Sequence, residues 1–152
     1  MGVIMLLEPC SSNELSRLRK TPKLYFCDTG LAAYLSSWVS RDVLMNGAAS
    51  GPFYENYVIG ELIRNYAYGK DAVNLNYYRD NNQKEIDLVI EENGVLHPIE
   101  IKKGTAPDRS TIKVFSVLAH SQKQVGNGGI VCMTEEPFPI DGKNNFIPSN
   151  IL

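Results

Sequence analysis

An Asn-Gly pair at residues 93–94 lies between two stretches in which apolar and polar residues alternate, "EIDLVIEE" before it and "VLHPIEIK" after it. Asn-Gly is the residue pair most typical of a two-residue type I′ turn, and alternation with a period of two is typical of strands. The sequence therefore predicts a β-hairpin over residues 85–102. This hairpin constrains the fold more than any other segment does.

The turn also determines which residues face each other across the hairpin. The even-numbered residues before the turn and the odd-numbered residues after it are almost all aliphatic, so we expect them to share a face on the core. On the other face, Asp87 is expected opposite Glu100, and Glu85 opposite Lys102. A shift of one residue would bring the charged set onto the aliphatic face, and the hydrophobic pattern therefore resists it.

Asp87 and Glu100 would present like charges directly opposite each other, which destabilises a sheet. A shared proton, a nearby cation or a bound divalent metal must offset this repulsion, and Lys102 supplies one positive charge on the same face. Two carboxylates and an ammonium on one sheet face are groups that bind Mg²⁺ and position a phosphate. The alternative is an ordinary solvated hairpin face with a salt bridge from Lys102. The residues alone leave both interpretations open.

A third acid lies on a predicted helix. The stretch "GPFYENYVIGELIRNYAYG", residues 51–69, has a proline in its first turn and a glycine at its end, which indicates one helix of roughly four turns. Apolar residues follow Glu55 three, four and seven positions later, so its carboxylate lies on an apolar stripe and needs a partner. Glu61 can instead pair with Arg64 one turn later, as an ordinary surface acid does.

The remaining segments alternate between strand and helix signals. Residues 3–8 and 23–27 predict a hairpin whose tip carries Arg17, Arg19 and Lys20. Asp28 is expected to cap a short helix, and "AVNLNYYR" and "GIVCM" are expected to be strands. Apolar residues at positions 112, 115 and 118 predict a further helix, and the tail after residue 137 is expected to be mostly loop.

Composition limits the class of protein. With 152 residues, of which 43% are hydrophobic, the chain can form one domain with a substantial core. A net charge of −2 is unlike that of proteins that coat nucleic acid through charge alone, although an enzyme can still contact DNA locally. The three widely spaced cysteines form no metal-binding pattern and favour a reduced, cytoplasmic setting. No run is long enough to span a membrane, and the chain has no GxxxxGK[ST] loop for ATP.

A helix carrying Glu, an Asp at the start of a hairpin and a Glu-x-Lys in the next strand together resemble the PD-(D/E)xK nuclease-like superfamily. Here these elements are "GPFYENYVIGEL", "YYRDNNQKEIDLVI" and "PIEIKKG". With "KTPKLYFCDTGLAAYL" before them, they resemble the uncharacterised C-terminal module found behind AAA-type ATPase domains in bacteria and archaea. The resemblance spans nearly the whole chain.

The resemblance implies an α/β, restriction-endonuclease-like core, with a mixed central sheet flanked by helices and an N-terminal β-hairpin appendage. By position, Asp87 and Glu100 would ligate Mg²⁺ or Mn²⁺, Glu55 would be an accessory ligand, and Lys102 would be the catalytic lysine. Candidate contacts to a phosphate backbone are Arg79 and Lys103, together with the basic hairpin tip formed by Arg17, Arg19 and Lys20.

The same resemblance divides the chain into two parts. Residues 1–36 would be the end of a winged-helix-like segment, and residues 37–152 the nuclease-like domain. The expected partners are DNA and an AAA-type ATPase domain of the same longer chain. Two functions remain: a Mg²⁺-dependent nuclease acting on DNA, and an inactive module that binds nucleic acid or a protein partner beside the ATPase.

Overall fold

A computed structural model describes residues 2–10, 21–38, 40–68 and 73–152. These residues form a mixed sheet of nine strands with helices on both faces. The strands are β1 (Ile4–Pro9), β2 (Lys23–Phe26), β3 (Val73–Arg79), β4 (Glu85–Glu92), β5 (Val95–Ile101), β6 (Gln124–Val125), β7 (Gly128–Cys132), β8 (Phe138–Pro139) and β9 (Asn144–Pro148). Their spatial order is β2-β1-β3-β4-β5-β7-β9-β8, and β6 pairs with β5. The predicted α/β architecture with a mixed central sheet is confirmed.

The helices are α1 (Thr29–Leu35), α2 (Arg41–Asn46) and α3 (Ser50–Tyr68), with 3₁₀ helices at Arg109–His120 and Ser149–Ile151. The Asp28 carboxylate accepts the backbone N–H of Leu31 and caps α1, as predicted. Glu61 pairs with Arg64 at 2.5 Å, which confirms its role as a surface acid.

The two faces of the sheet are covered by different helices. On one face α3 packs against the β4–β5 hairpin, where Ile59 joins a buried cluster that contains Leu88. On the other face the long 3₁₀ helix packs, where Phe115 joins a second cluster that contains Val89. Because consecutive strand residues point to opposite faces, Leu88 and Val89 belong to different halves of the core.

The predicted hairpin and its register are confirmed near the turn. Asn93 and Gly94 have positive φ values of 51° and 79°, as a type I′ turn requires. Pairing runs from Glu92–Val95 to Leu88–Ile99. The expected pairs of Asp87 with Glu100 and of Glu85 with Lys102 lie beyond this ladder, because β4 and β5 separate there.

A bulge in β4 causes this departure from the prediction. On β3 one residue separates Asn76 from Tyr78, whereas on β4 the two residues 87 and 88 separate their partners Val89 and Ile86. An extra residue reverses the alternation of side chains. Ile86 therefore packs with Phe115 on the face opposite Leu88, and the expectation that Ile86 shares the aliphatic face of Leu88 is wrong.

Of two further expectations, the helix around positions 112, 115 and 118 is confirmed and the loop after residue 137 is wrong. Residues 109–120 form a 3₁₀ helix, whose three residues per turn match the spacing of the apolar positions 112, 115 and 118. The tail after residue 137 contains strands β8 and β9, and β9 pairs in parallel with β7. The sequence of β9, "NNFIP", carries little strand signal because two asparagines and a proline, which are residue types depleted in strands, make up three of its five residues.

The N-terminal hairpin extends the central sheet. β1 and β2 pair antiparallel, as predicted, and β1 also pairs in parallel with β3 at Glu8–Asn76 and Pro9–Tyr77. The predicted basic tip at Arg17, Arg19 and Lys20 lies outside the described residues. The division of the chain between residues 36 and 37 stays a prediction.

Candidate functional site

Asp87, Glu100 and Lys102 come together where β4 and β5 diverge, and we call this group the acid–lysine fork. Lys102 Nζ lies 3.2 Å from Asp87 Oδ2 and 2.9 Å from Glu100 Oε2. Asp87 Oδ2 also accepts the backbone N–H of Ile101 at 2.8 Å. The three side chains therefore lie together, as predicted. The Lys102 ammonium holds the two carboxylates, whereas Asp87 and Glu100 are not paired as opposite residues of the two strands.

The fork brings the carboxyl groups of Asp87 and Glu100 together in the interior of the protein. Glu100 is 4% exposed, and burial together with the charge of Asp87 raises its pKa to about 7 against the attraction of Lys102. Burial lowers the pKa of Lys102, but the charge of Asp87 and the hydrogen bond to Glu100 raise it by more. Lys102 therefore remains an ammonium, and it is shared by two acids that repel each other.

One oxygen of the fork lacks a partner. Glu100 Oε1 is buried and, within the part of the chain that the structure describes, accepts no hydrogen bond. A buried carboxylate oxygen without a donor is costly, and a small hard cation would satisfy it. Mg²⁺ is commonly held by one or two carboxylates together with waters and substrate phosphates, so the donor set of Asp87 and Glu100 fits this ion.

Glu55 belongs to a neighbouring group of side chains. Its Oε1 accepts Tyr25 Oη at 2.6 Å and Lys23 Nζ at 3.3 Å. Lys23 Nζ also lies 2.5 Å from Glu85 Oε1. We call Lys23, Tyr25, Glu55 and Glu85 the hairpin cluster, because β2 of the N-terminal hairpin supplies its lysine and tyrosine.

The hairpin cluster is electrostatically linked to the fork. Burial and the charge of Glu55 raise the pKa of Tyr25, and the charge of Asp87 adds to this effect. Burial lowers the pKa of Lys23, but Glu85, Glu55 and Asp87 together raise it by more. In the described residues no three His, Cys, Asp or Glu side chains converge closely enough to hold a metal ion. Glu55 is thus engaged by Tyr25 and Lys23.

Sequence reasoning missed Lys23 and Tyr25. Alternation along "KLYF" places both on one face of β2 and is readable from the sequence. Their partner Glu55 is 30 residues or more away, and nothing local indicates it. Glu85 was expected opposite Lys102; the β4 bulge instead directs it to the α3 face, where it meets Lys23.

The described candidates for nucleic-acid contact make intramolecular bonds. Arg79 contacts Gln83 and Glu85, and Lys103 donates to the carbonyl of Met45. The other three candidates, Arg17, Arg19 and Lys20, lie outside the described residues. Of the described helices, none is long and apolar enough to cross a membrane.

Two family models match the chain. One is described as "Domain of unknown function (DUF4143)" and matches residues 50–152; the other is described as "Domain of unknown function (DUF8612)" and matches residues 1–42. Uncharacterized proteins of Mycobacterium bovis and Mycobacterium tuberculosis are each 29% identical to it over 148 residues, which are 97% of this chain and 32% of theirs. The chain thus spans about a third of the length of these curated relatives. No solved structure matches it.

Proposed function

We propose that this chain, which belongs to the family described as "Domain of unknown function (DUF4143)", is a Mg²⁺-dependent nuclease domain that hydrolyses phosphodiester bonds of DNA. One observation carries the proposal: Asp87 and Glu100 converge on Lys102 while the buried Glu100 Oε1 accepts no hydrogen bond from the described residues. A restriction-endonuclease-like core is part of the same proposal. The mixed sheet and the hairpin that carries the fork support it.

Asp87 and Glu100 would hold the ion, and Mn²⁺ is a suitable substitute for Mg²⁺. When bound, the ion supplies Lewis-acid activation of a phosphate oxygen and of a water molecule. The carboxylates supply the negative charge that holds a divalent cation in this buried place, and their mutual repulsion favours its binding. The Ile101 N–H keeps Asp87 Oδ2 oriented toward the fork.

Lys102 is positively charged and exposed enough to contact a phosphate group of the substrate. Its side chain is 40% exposed, whereas those of Asp87 and Glu100 are 13% and 5% exposed. It therefore lies on the solvent side of the two acids, where a phosphate group arrives. There it donates to a phosphate oxygen or to the attacking water, and it stabilises the negative charge that develops in the transition state.

Calorimetric titration with Mg²⁺ and Mn²⁺ tests the site. The parent chain should bind the ion, and Asp87→Asn and Glu100→Gln should weaken binding strongly. Glu91→Gln is the matched control, because Glu91 lies on the same strand but pairs with Lys123 away from the fork. Cleavage of plasmid, single-stranded and branched DNA is then measured with the same variants. Absence of both binding and thermal stabilisation by metal in the parent would contradict the metal site.

A second function is favoured by one observation. Glu55, the acid that the family resemblance assigns as an accessory ligand, is already held by Tyr25 and Lys23. A module that retains the fold without catalysis would bind nucleic acid or a protein partner. Metal binding without cleavage of any DNA substrate would support this alternative.

The proposal extends to the longer protein. This chain spans about a third of the length of its curated relatives. An AAA-type ATPase domain in the same longer protein would fit that difference in length. The cytoplasmic location expected from the cysteines also stays a prediction.

A further inference from the structure

A cavity of about 390 Å³ lies where α2 and α3 meet the carboxyl ends of three strands, and we call it the strand-end cavity. β5 and β9 each pair in parallel with β7, and the segments that follow the three strands line the cavity with Lys103, Met133 and Ser149. In open α/β sheets, ligands bind in the crevice outside the carboxyl ends of the strands. The volume is also within the range of small-molecule sites. Position and size therefore both indicate a ligand site.

One wall of the strand-end cavity is apolar. α2 contributes Leu44 and Met45, α3 contributes Phe53, and the segment after β7 contributes Met133. Each of these side chains is partly exposed, so the wall is in contact with solvent. Covering it with an apolar group is favourable, because apolar surface is removed from water. The wall thus fits the apolar body of a ligand.

Arg41 gives the cavity a positive charge that is not neutralised by an acid. It is exposed at the start of α2 and, among the described residues, forms an ion pair with no carboxylate. None of the described residues that line the cavity is an Asp or a Glu. A guanidinium binds a carboxylate or a phosphate through two parallel hydrogen bonds. Arg41 therefore favours an anionic group.

Lys103 supplies a second positive charge and is held in place. Its ammonium donates to the carbonyl of Met45, in the last turn of α2. That carbonyl is one of those that a helix end leaves without an intrahelical partner. An ammonium has three N–H groups, so two remain for a ligand. The bond to α2 thus keeps Lys103 at the cavity while leaving it able to bind an anion.

We infer that the strand-end cavity binds a small organic anion, whose apolar body packs against the wall formed by α2, α3 and the segment after β7, and whose carboxylate or phosphate group is bound by Arg41 and Lys103. The apolar wall distinguishes this ligand from a nucleic-acid phosphate, which would need only the two cations. The inference goes beyond the proposed function, because no residue of the acid–lysine fork lines the cavity.

Methionine methyl NMR of the whole chain locates the binding. Met45 and Met133 line the cavity, whereas Met5 lies on the N-terminal hairpin beside Gly60. The probes are benzoate and phenyl phosphate, added without divalent ions. At least one of them should shift the methyl signals of Met45 and Met133 and leave that of Met5 in place. The probe that binds more tightly identifies the anionic group as a carboxylate or a phosphate.

Two further probes separate the contributions of charge and apolar body. Benzyl alcohol carries the ring without a charge, and inorganic phosphate carries the charge without a ring. Each should bind at least tenfold more weakly than the tighter of the two organic anions, since each lacks one of the two interactions. Equal binding by either of them would overturn the inference.

Arg41→Gln tests the cation. It should weaken binding of the tighter probe by about tenfold or more, as the loss of a hydrogen bond between charged groups does. Arg109→Gln is the matched control, because Arg109 also begins a helix but lies over Phe146 on the opposite face of the sheet. It should bind the probe as the parent does. Thermal unfolding of both variants shows that they are folded under the conditions of titration.

The remaining outcomes are equally decisive. If neither organic anion shifts Met45 and Met133 at about 10 mM, well above the concentration that half-saturates a weak millimolar site, the cavity is not an anion site. Unchanged affinity of Arg41→Gln would also overturn the inference. Because the probes need no metal, a failure of Mg²⁺ binding or of DNA cleavage leaves it unaffected.

Discussion

Asp87 accepts the backbone N–H of Ile101 at 2.8 Å, where a continued ladder would place the carbonyl of Ile86. A side chain thus replaces a main-chain acceptor at the point where β4 and β5 separate. Because of this substitution, the two strands open without leaving the Ile101 amide unpaired. The opening makes room for Glu100 and Lys102 beside the carboxylate.

Replacement of Asp87 should therefore affect stability as well as metal binding. Asp87→Ala leaves the Ile101 amide without its acceptor and should lower the free energy of unfolding by about 1–3 kcal/mol. Asp87→Asn keeps an acceptor oxygen of the same shape and should cost less. Urea denaturation of the two variants measures the difference. If Asp87→Ala and Asp87→Asn lower the free energy of unfolding equally, the hydrogen bond of the Ile101 amide does not contribute through the Asp87 oxygen.

Glu100 should make stability depend on pH. Burial and the charge of Asp87 raise its pKa from 4.5 to about 7. Between these two pH values the folded chain therefore keeps a proton on Glu100 that the unfolded chain has already lost. The stability that comes from this proton is fully present below pH 4.5 and is lost as the pH rises through about 7. The loss is on the order of 3 kcal/mol if the whole shift is realised.

Comparison with a neutral variant isolates this effect. Glu100→Gln carries no titrating group, so its free energy of unfolding should fall less between pH 4.5 and 7 than that of the parent. Glu91→Gln removes a carboxylate of the same hairpin that pairs with Lys123 outside the fork, so its profile should still show the fall that Glu100 causes. Denaturation curves collected across this range give the difference directly, and parallel profiles for parent and Glu100→Gln would contradict the prediction.

Gly129 should be essential for the parallel part of the sheet. Gly129 pairs with Ile99 on β5 and with Asn145 on β9. A Cβ at this position would lie 2.3 Å from the carbonyl oxygen of Asn145, and this backbone atom cannot move without shifting β9. Gly129→Ala should therefore destabilise the protein by roughly 1–3 kcal/mol or more, as overpacking of a core does.

A nearby glycine provides the control for that substitution. Gly142 lies in the turn before β9, and a Cβ there meets no atom within 4 Å. Gly142→Ala should leave the thermal midpoint close to that of the parent. Equal midpoints for the two variants would show that β9 can shift without loss of stability.

The sequence predicted the parts of the fold that depend on local patterns. Asn93 and Gly94 determine the turn, and the register follows from them as far as the pair of Leu88 and Ile99. The long helix with Glu55 follows from its proline and its apolar spacing, and the glycine expected to end it, Gly69, lies outside the described residues. In each case the residues that decide the structure are neighbours in the sequence.

The parts that it did not predict depend on contacts between distant residues. The β4 bulge arises from pairing with β3, and no residue within β4 indicates it. As a result Glu85 meets Lys23 rather than Lys102. Likewise, β9 is a strand because it pairs with β7, although its asparagines and proline are residue types depleted in strands. The types of residue in the site could thus be predicted, whereas the partners of Glu55 and Glu85 could not.

Lys102→Met should separate metal binding from catalysis. Without the ammonium, Asp87 and Glu100 lose the cation that they share, so the apo protein should become less stable above pH 7, where Glu100 is ionised. Without the Lys102 ammonium, the charges of Asp87 and Glu100 are also less neutralised, which favours the binding of a divalent ion. Mg²⁺ should consequently bind at least as tightly as in the parent and should restore more stability to this variant than to the parent.

DNA cleavage by Lys102→Met should fall, although Mg²⁺ binding does not weaken. If Lys102 orients the attacking water or the phosphate, cleavage of DNA by Lys102→Met should fall by about a hundredfold or more at saturating Mg²⁺. Lys123→Met is the matched control, since Lys123 pairs with Glu91 outside the fork, and it should cleave as the parent does. Weaker Mg²⁺ binding by Lys102→Met, or cleavage equal to that of the parent, would contradict the role assigned to this lysine.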